Sequence, residues 1–435
     1  MIELGARASI VSDPKVLRWA VPAIAAMLTI QVSLGTVFRM EINPAHFLAP
    51  VVGLAVLFSL NDRLATAFIV SGLCGLGSVF AAHIISPDIL HGNIAELLIW
   101  TMFAPSFLFL GRLVPLRAAV RWLGIFSVVF LVTATLPLLV TGEPVRGVYP
   151  FGTPGRDPGT SYMNVHILGL PVFASYGVNS IAPLFCMQAA LLCGAIFSCS
   201  NSLRILFSVG LACAIFLVIG SESRASQGAL ILLALFFGGY CFWRRQGPWL
   251  AYTLIASAVV LAGAAVSIRV DEVTRMAHLV QGSAYLMKSK QTHNERTAEP
   301  AHDLSALTTG RTDLWTVAAR EFAASPLIGN GFSGFGRFEP IGKHLGANTT
   351  PHLYYLNILW KGGLLFAVPF AYFIFLAFKA AWEHRRAYPE WAFSAAAVVA
   401  MFAVALTWDI LMIPGAGVLT WFLLGSMGGE NDEIA

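Results

Sequence analysis

The chain has 435 residues, of which 57% are hydrophobic and only 11% are charged, and its mean hydropathy is +0.73. Ordinary soluble domains contain about 25% charged residues, so this composition excludes a soluble globular protein and indicates an integral membrane protein. The formal net charge of +4 gives no indication of a nucleic-acid partner, because in a membrane protein the side on which charges lie matters more than their sum.

Apolar runs near the ~20-residue length that spans a bilayer predict an all-α fold of about twelve transmembrane helices. The second and the last of these runs are short. The predicted spans are 16–38, 44–60, 64–85, 94–111, 120–140, 179–199, 203–220, 225–243, 249–268, 363–381, 391–412 and 415–427.

The distribution of basic residues predicts that both termini are cytoplasmic. With the N-terminus inside, the short outer loops hold only Arg39 and Arg224. The inner side holds many more basic residues, namely Arg7, Lys15, Arg18, Arg63, Arg112, Arg117, Arg121, Arg204, Arg244, Arg245, Lys379, Arg385 and Arg386. We therefore expect residues 1–268 to form a bundle of about nine helices with an outer loop over 141–178. We also expect residues 269–351 to form a large helical loop region on the outer side, and residues 352–435 to form an interfacial helix and the last three transmembrane helices.

Glu96 is the clear ionisable residue inside the first five predicted spans. A carboxylate inside a membrane span is a candidate functional group, because burying it without a partner is costly. The alternative is that Glu96 forms hydrogen bonds within the bundle.

Two arginines lie in the Gly- and Pro-rich start of the outer loop, TGEPVRGVYPFGTPGRDPG, and they are Arg146 and Arg156. A third, Arg224, lies in the tight outer turn GSESRAS between two strongly apolar spans. A guanidinium at that boundary either serves a function, pairs with Glu222, or extends to lipid headgroups.

The largest stretch between spans contains a predicted amphipathic helix over residues 311–324, with Leu314, Val317, Ala318 and Phe322 as its apolar stripe. The glycine-rich segment IGNGFSGFGR follows and ends at Arg337. Its backbone amides could converge on an anion, although a flexible loop is the alternative interpretation.

His352 lies at the predicted start of a helix, in the stretch TTPHLYYLNILWKGG. Thr350 is a suitable N-cap and Pro351 suits a first turn. On a helix, His352 and Tyr355 share one face, and the positive end of the helix dipole favours the neutral, proton-accepting imidazole. The pattern therefore predicts a general base.

The outward-facing ionisable groups favour one chemistry over others. The sequence has no Asp-x-Asp pair for a divalent ion, no zinc-ligand spacing and no serine nucleophile elbow, so we expect neither a metal nor another cofactor. Arginine forks bind phosphate oxygens in pairs and could neutralise a pyrophosphate leaving group. His352 could then deprotonate an attacking hydroxyl, which suits group transfer from a lipid-linked pyrophosphate.

Three patches of the sequence resemble the O-antigen ligase and polymerase superfamily of bacterial inner-membrane glycosyltransferases. SESRASQGALI is similar to the family's Ser-Arg-Gly turn and places its arginine at Arg224. GRTDLWTVAAREFAASPLIGNGFSGFG resembles its Gly-Arg to Pro-Leu-x-Gly-x-Gly block and places an arginine at Arg311. HLYYLNILWKGG resembles its histidine block and places the catalytic histidine at His352, although Leu353 stands where the family often has Asn.

The resemblance implies a GT-C-like enzyme of the inner membrane with a periplasmic active site. Its substrates would be an undecaprenyl-pyrophosphate-linked glycan and a lipid A–core acceptor, with membrane lipids around it. The resemblance also implies that His352, Arg224 and Arg311 are the catalytic residues. We expect Arg337, Tyr355, Arg146 and Arg156 to bind substrate.

Alternatives remain open at this point. An O-antigen or exopolysaccharide polymerase and a protein O-oligosaccharyltransferase share the same motifs, so the motifs do not separate them from a ligase. A transporter of lipid-linked anions would also place arginines at the outer boundary, but transporters usually carry a polar site near the midplane.

Overall fold

The structure is a computed structural model, and it describes residues 14–30, 36–37, 40–41, 44–85, 90–141, 165–167, 170–172, 178–220, 223–244, 311–332, 351–413 and 415–429. Every long element in these ranges is a helix. The only strands within them form two short antiparallel hairpins, β1 (Thr36–Val37) with β2 (Met40–Glu41) and β3 (Val165–Ile167) with β4 (Leu170–Val172).

The helices follow the apolar runs of the sequence. In chain order they are α1 (Pro14–Thr29), α2 (Ala49–Phe58), α3 (Arg63–Ile85), α4 (Leu90–Leu97), α5 (Ala104–Arg112), α6 (Leu116–Thr141), α7 (Val178–Ser198), α8 (Asn201–Gly220), α9 (Arg224–Trp243), α10 (Arg311–Ala324), α11 (Tyr354–Glu383), α12 (Pro389–Val404) and α13 (Ala416–Met427). The predicted amphipathic helix over 311–324 is confirmed by α10.

Seven helices among the described residues are long and apolar enough to cross a membrane, so the prediction of a helical multi-pass membrane protein is confirmed at this level. One of the seven, Asn93–Arg112, runs from α4 through the π-helical turn Leu98–Phe103 into α5. Three further apolar helices are shorter, at Pro44–Phe58, Pro389–Val404 and Ala416–Met427. The predicted span 249–268 lies outside the described residues. The total of about twelve spans therefore stays a prediction.

Helix α13 lies in the middle of the protein. Each of its twelve residues is buried, and it packs against α5, α7, α11 and α12. Glycine makes the contact with α5 possible, because a Cβ on Gly425 or on Gly111 would collide with the backbone of the other helix. At about 1.5 Å per residue α13 is too short for the lipid core, and its burial in protein explains how so short a helix is accommodated.

Helix α11 breaks at Gly363, whose φ of 61° lies in the left-handed region. The break leaves backbone groups without helical partners, and the segment from Pro326 to Gly331 supplies replacements. The amides of Asn330 and Gly331 donate to the carbonyls of Trp360 and Lys361, and the amides of Leu364 and Leu365 donate to the carbonyls of Pro326 and Leu327. These four hydrogen bonds satisfy backbone groups that the break would otherwise leave open.

Helices α9 and α12 run in opposite directions. Arg244, just after α9, donates a hydrogen bond to the carbonyl of Ala387, just before α12, and Tyr240 packs against Phe393 with ring centroids 5.2 Å apart. The start of α9, at Arg224, therefore lies at the end of the bundle where α12 finishes. That end also holds the beginning of α11.

Candidate functional site

His352 does not belong to a helix, which corrects the prediction that it occupies a helical first turn. Helix α11 begins at Tyr354, and Leu353 is its N-cap residue in an extended conformation. His352 has a φ of 52°, the only positive φ among the described residues other than glycine. His352 and Leu353 both have non-helical backbone conformations. The imidazole therefore lies before the first turn of α11 rather than on a face of the helix.

The imidazole of His352 stacks on the indole of Trp408, with ring centroids 4.3 Å apart and 15° between the ring planes. Its Nδ1 lies 3.9 Å from Oδ2 of Asp409. The histidine side chain is 30% exposed and the aspartate only 7%, so the pair has one accessible and one buried partner. A nearby carboxylate stabilises a protonated imidazole and fixes its orientation.

Asp409 is held by groups on the first turn of α11. Asn357 donates from Nδ2 to Oδ1 of Asp409 over 3.2 Å, and both side chains are buried. The backbone amide of Tyr354 donates to the carbonyl of Ala405, which ties the start of α11 to the end of α12. The result is a row of side chains, Asn357 to Asp409 to His352, that runs from the interior to the surface.

Tyr355, predicted to bind substrate, donates its hydroxyl to the carbonyl of Phe402 over 2.8 Å. This bond holds α11 against the last turn of α12. Its contact with substrate stays a prediction, and in this structure its hydroxyl proton is donated to a backbone carbonyl of the protein.

Helix α10 docks beside His352. Trp315 donates its indole N–H to the carbonyl of Pro351 over 2.7 Å, and Leu314 and Ala318 pack on Trp360 of α11. Trp360 in turn donates to Oε2 of Glu321 over 2.7 Å. Burial raises the pKa of the Glu321 carboxyl, and the bond from Trp360 and the charge of Arg320 partly oppose this rise.

Two predicted catalytic arginines begin helices at this end of the bundle. Arg311 is the first residue of α10, about one turn before Trp315, and Arg224 is the first residue of α9. The structure describes their backbone but not their side chains. Helix starts carry a partial positive charge that favours anions, which adds to the charge of each guanidinium.

The remaining predicted residues Arg146, Arg156 and Arg337 lie outside the described residues. The glycine-rich segment is described as far as Phe332, and there it is neither an anion nest nor a free loop. The amides of Asn330 and Gly331 donate to α11, so they are not available to an anion.

Glu96 has a buried partner. Its Oε2 accepts a hydrogen bond of 3.0 Å from Nζ of Lys361, and the same ammonium donates to the carbonyl of Phe332 over 3.0 Å. The lysine side chain is 4% exposed and that of Glu96 is 26% exposed. This supports the alternative that Glu96 is bonded within the bundle, and it joins α4, the glycine-rich segment and the break in α11.

Sequence reasoning missed Asp409, Trp408, Asn357 and Lys361. The available signal was a single aspartate inside the apolar run 391–412 and a single lysine within HLYYLNILWKGG. Charged residues in apolar runs are expected to be paired, and these two are.

The fold and this end of the bundle define a polytopic membrane protein with a histidine–aspartate pair at the end of the bundle where two arginine-initiated helices begin. Residues 209–371 of the chain match the O-antigen ligase family, which confirms the resemblance to the O-antigen ligase and polymerase superfamily. The match supports an enzyme of this type acting on lipid-linked glycans, and it includes Arg224, Arg311 and His352. No curated protein matches the chain.

Proposed function

We propose that this protein is a metal-independent glycosyltransferase of GT-C type. It would transfer O-antigen polysaccharide from undecaprenyl pyrophosphate to lipid A–core at the periplasmic face of the bacterial inner membrane. The observation that carries the proposal is the placement of His352, held between Trp408 and Asp409, at the end of the bundle where α9 and α10 begin. The family match supports the class of reaction.

In the proposed reaction His352 acts as the general base. Its Nε2 takes the proton of an acceptor hydroxyl while that oxygen attacks the anomeric carbon of the donor. The bond between this carbon and the pyrophosphate oxygen breaks, and undecaprenyl pyrophosphate leaves with the electron pair. Asp409, facing Nδ1, stabilises the imidazolium that forms.

Arg224 and Arg311 would bind the pyrophosphate. The leaving group gains negative charge as its bond to the sugar breaks. A guanidinium already positioned beside the pyrophosphate therefore stabilises the transition state more than the ground state. Arg337, Arg146, Arg156 and Tyr355 are proposed to bind the donor or the acceptor. The lipid tail would remain in the bilayer beside the bundle.

The membrane orientation is part of the proposal. Both termini would be cytoplasmic, as the basic residues of the short loops predict. The domain division also stays as predicted: a bundle over 1–268 with the outer loop 141–178, a periplasmic region over 269–351, and an interfacial helix with three spans over 352–435. The break of α11 at Gly363 agrees with an interfacial segment that precedes a span.

The acceptor separates the possible activities. Purified protein in liposomes would receive undecaprenyl-pyrophosphate glycan with lipid A–core, with an acceptor peptide, or alone. Product on lipid A–core supports the ligase. Longer undecaprenyl-linked chains identify a polymerase, glycosylated peptide identifies a protein O-oligosaccharyltransferase, and movement of unaltered donor across the liposome membrane identifies a transporter.

His352→Asn tests the base within the same assay, because Asn tolerates a positive φ and preserves the backbone. We expect transfer to fall by about 10²-fold or more while insertion and thermal stability are kept. The matched control is His384→Asn just beyond the far end of α11, where Nδ1 lies 2.9 Å from the carbonyl oxygen of Ala380. Transfer that survives in His352→Asn would remove the base from the mechanism.

Arg224→Lys and Arg311→Lys test the binding of pyrophosphate. A lysine keeps the charge but lacks the planar pair of donors, so we expect donor affinity to recover only partly relative to the alanine variants. Complete recovery with lysine would show that only a point charge is needed.

A further inference from the structure

An open groove lies at the end of the bundle opposite His352. It has a volume of 850 Å³ and lies between α9, the end of α11 and the start of α12. This volume falls within the roughly 300–1,000 Å³ of ligand-binding cavities. Because α11 runs the length of the bundle between its two ends, the groove is separate from the proposed active site.

The wall of the groove is apolar and its depth comes from small residues. Phe236 and Val399 line its sides, and Ala395 and Ala396 of α12 leave space opposite Gly239 of α9. A Cβ added at Gly239 would meet no atom of the described residues within 4 Å. A hydrocarbon chain could therefore lie along the helices at this position.

The mouth of the groove is cationic. Arg244, Arg385 and Arg386 line it, and all three are exposed. Arg244 donates to the carbonyl of Ala387 and Arg385 donates to that of Trp382, but a guanidinium has five N–H donors and each arginine retains several. Neither of the neighbouring acids lines the groove: Glu390 of α12 is buried against Gly194 of α7, and the exposed Glu383 at the end of α11 pairs with Lys379.

Tryptophans mark the mouth as a membrane interface. Trp243 and Trp382 flank the arginines and are 75% and 64% exposed. Tryptophan is enriched where the hydrocarbon core of a bilayer meets its headgroups. From its depth to its mouth, the groove therefore has an apolar wall, a pair of interfacial tryptophans and a cluster of guanidinium groups. These suit, in the same order, the acyl chain, the interfacial region and the anionic headgroup of a phospholipid.

We propose that this groove binds an anionic diacyl phospholipid from the leaflet at that end of the bundle. One acyl chain lies between Phe236 and Val399, over Gly239. The phosphate and the anionic headgroup bind Arg244, Arg385 and Arg386 through paired hydrogen bonds. This site takes no part in glycan transfer; its role is to bind a lipid of the surrounding membrane.

The test is native mass spectrometry of the full-length protein in detergent with added phosphatidylglycerol or phosphatidylcholine of identical acyl chains. Wild-type protein should retain phosphatidylglycerol at lower concentration than phosphatidylcholine. Combined Arg244→Gln, Arg385→Gln and Arg386→Gln should weaken the binding of phosphatidylglycerol by about fivefold for each arginine removed. Arg63→Gln, an exposed arginine at the same end of the bundle but outside the groove, is the matched control and should bind as wild type.

A second variant blocks the apolar part without touching a charge. Gly239→Leu places a side chain in the open groove and should reduce retention of phosphatidylglycerol, whereas Gly53→Leu, at another open glycine on α2, should not. Equal retention of the two lipids by wild type, or unchanged retention of phosphatidylglycerol in Gly239→Leu, overturns the proposal. A dimer that dissociates in Gly239→Leu, with no retained lipid in wild type, overturns it in favour of a second copy of the chain.

Discussion

The backbones of Gly329 and Gly363 touch. A Cβ on either residue would collide with the amide nitrogen of the other, and both have a positive φ, of 69° and 61°. These two glycines allow the segment after α10 to enter the break in α11 and bond its open backbone groups. The position of the histidine-bearing end of α11 therefore depends on a contact that has no room for a side chain.

Gly363→Ala should destabilise the protein. The new methyl group meets the backbone of Gly329 and Leu327, and alanine is strained at this φ, so we expect a loss of about 2–4 kcal/mol. Thermal unfolding in detergent measures the loss, and faster hydrogen exchange at the Leu364 amide would locate it. Gly53→Ala, where a Cβ meets nothing within 4 Å, is the control. Equal stability of the two variants would show that the contact between Gly329 and Gly363 does not stabilise the protein.

Lys361→Met should also destabilise, because it leaves Glu96 partly buried without its cation. Loss of one partner of a fully buried ion pair costs about 3–5 kcal/mol, and the 26% exposure of Glu96 lowers our expectation to about 2–3 kcal/mol. Adding Glu96→Gln should recover part of this free energy of unfolding. The control Lys379→Met removes an exposed pair with Glu383 and should change stability by less than about 1 kcal/mol. An additive double variant would show that the two groups do not interact.

Asp409→Asn should slow glycan transfer without preventing assembly. The amide still accepts the hydrogen bond from Asn357 but cannot stabilise an imidazolium at His352, so kcat should fall by about 10²-fold. KM for the donor should stay unchanged, because Asp409 acts through the histidine. Glu383→Gln makes the same chemical change at the far end of α11 and serves as control. A rise in KM with constant kcat would instead place Asp409 in substrate binding.

Glu321 should make the docking of α10 sensitive to pH. Its pKa in the folded protein is raised above 4.5 by burial, so the folded state binds the proton more tightly than the unfolded state does. The stabilisation is therefore complete below pH 4.5 and is lost as the pH rises through the raised pKa. Hydrogen exchange of α10 in Glu321→Gln should lose this dependence, with the exposed Glu383→Gln as control. A dependence that persists in Glu321→Gln would assign it to another group.

The sequence allowed the helical membrane fold, the extent of α10 and the family resemblance to be predicted, because each depends on local hydropathy, periodicity or short motifs. The break in α11 was predicted only as the start of a span at 363. Its hydrogen-bond partners lie 30 or 38 positions earlier in the chain, and no local pattern indicates such a pairing.

The candidate site was predicted in part for a similar reason. His352 stands out as a lone histidine at the edge of an apolar run, but the helix-start signals of Thr350 and Pro351 placed it one turn too far inside α11. A left-handed residue and a stacked indole decide its position instead. Asp409 reaches it across fifty-seven positions of the chain, a distance at which only the fold brings residues together.

The burial of α13 has a consequence for biogenesis. A twelve-residue segment that faces protein on every side has too little hydrophobic length to be held by lipid alone, so it must enter after its neighbours α5, α7 and α11 have been inserted. Until then the space that it fills is open between these helices. Assembly of the bundle is thus completed from its centre, by a segment that follows its neighbours α5, α7 and α11 in the chain.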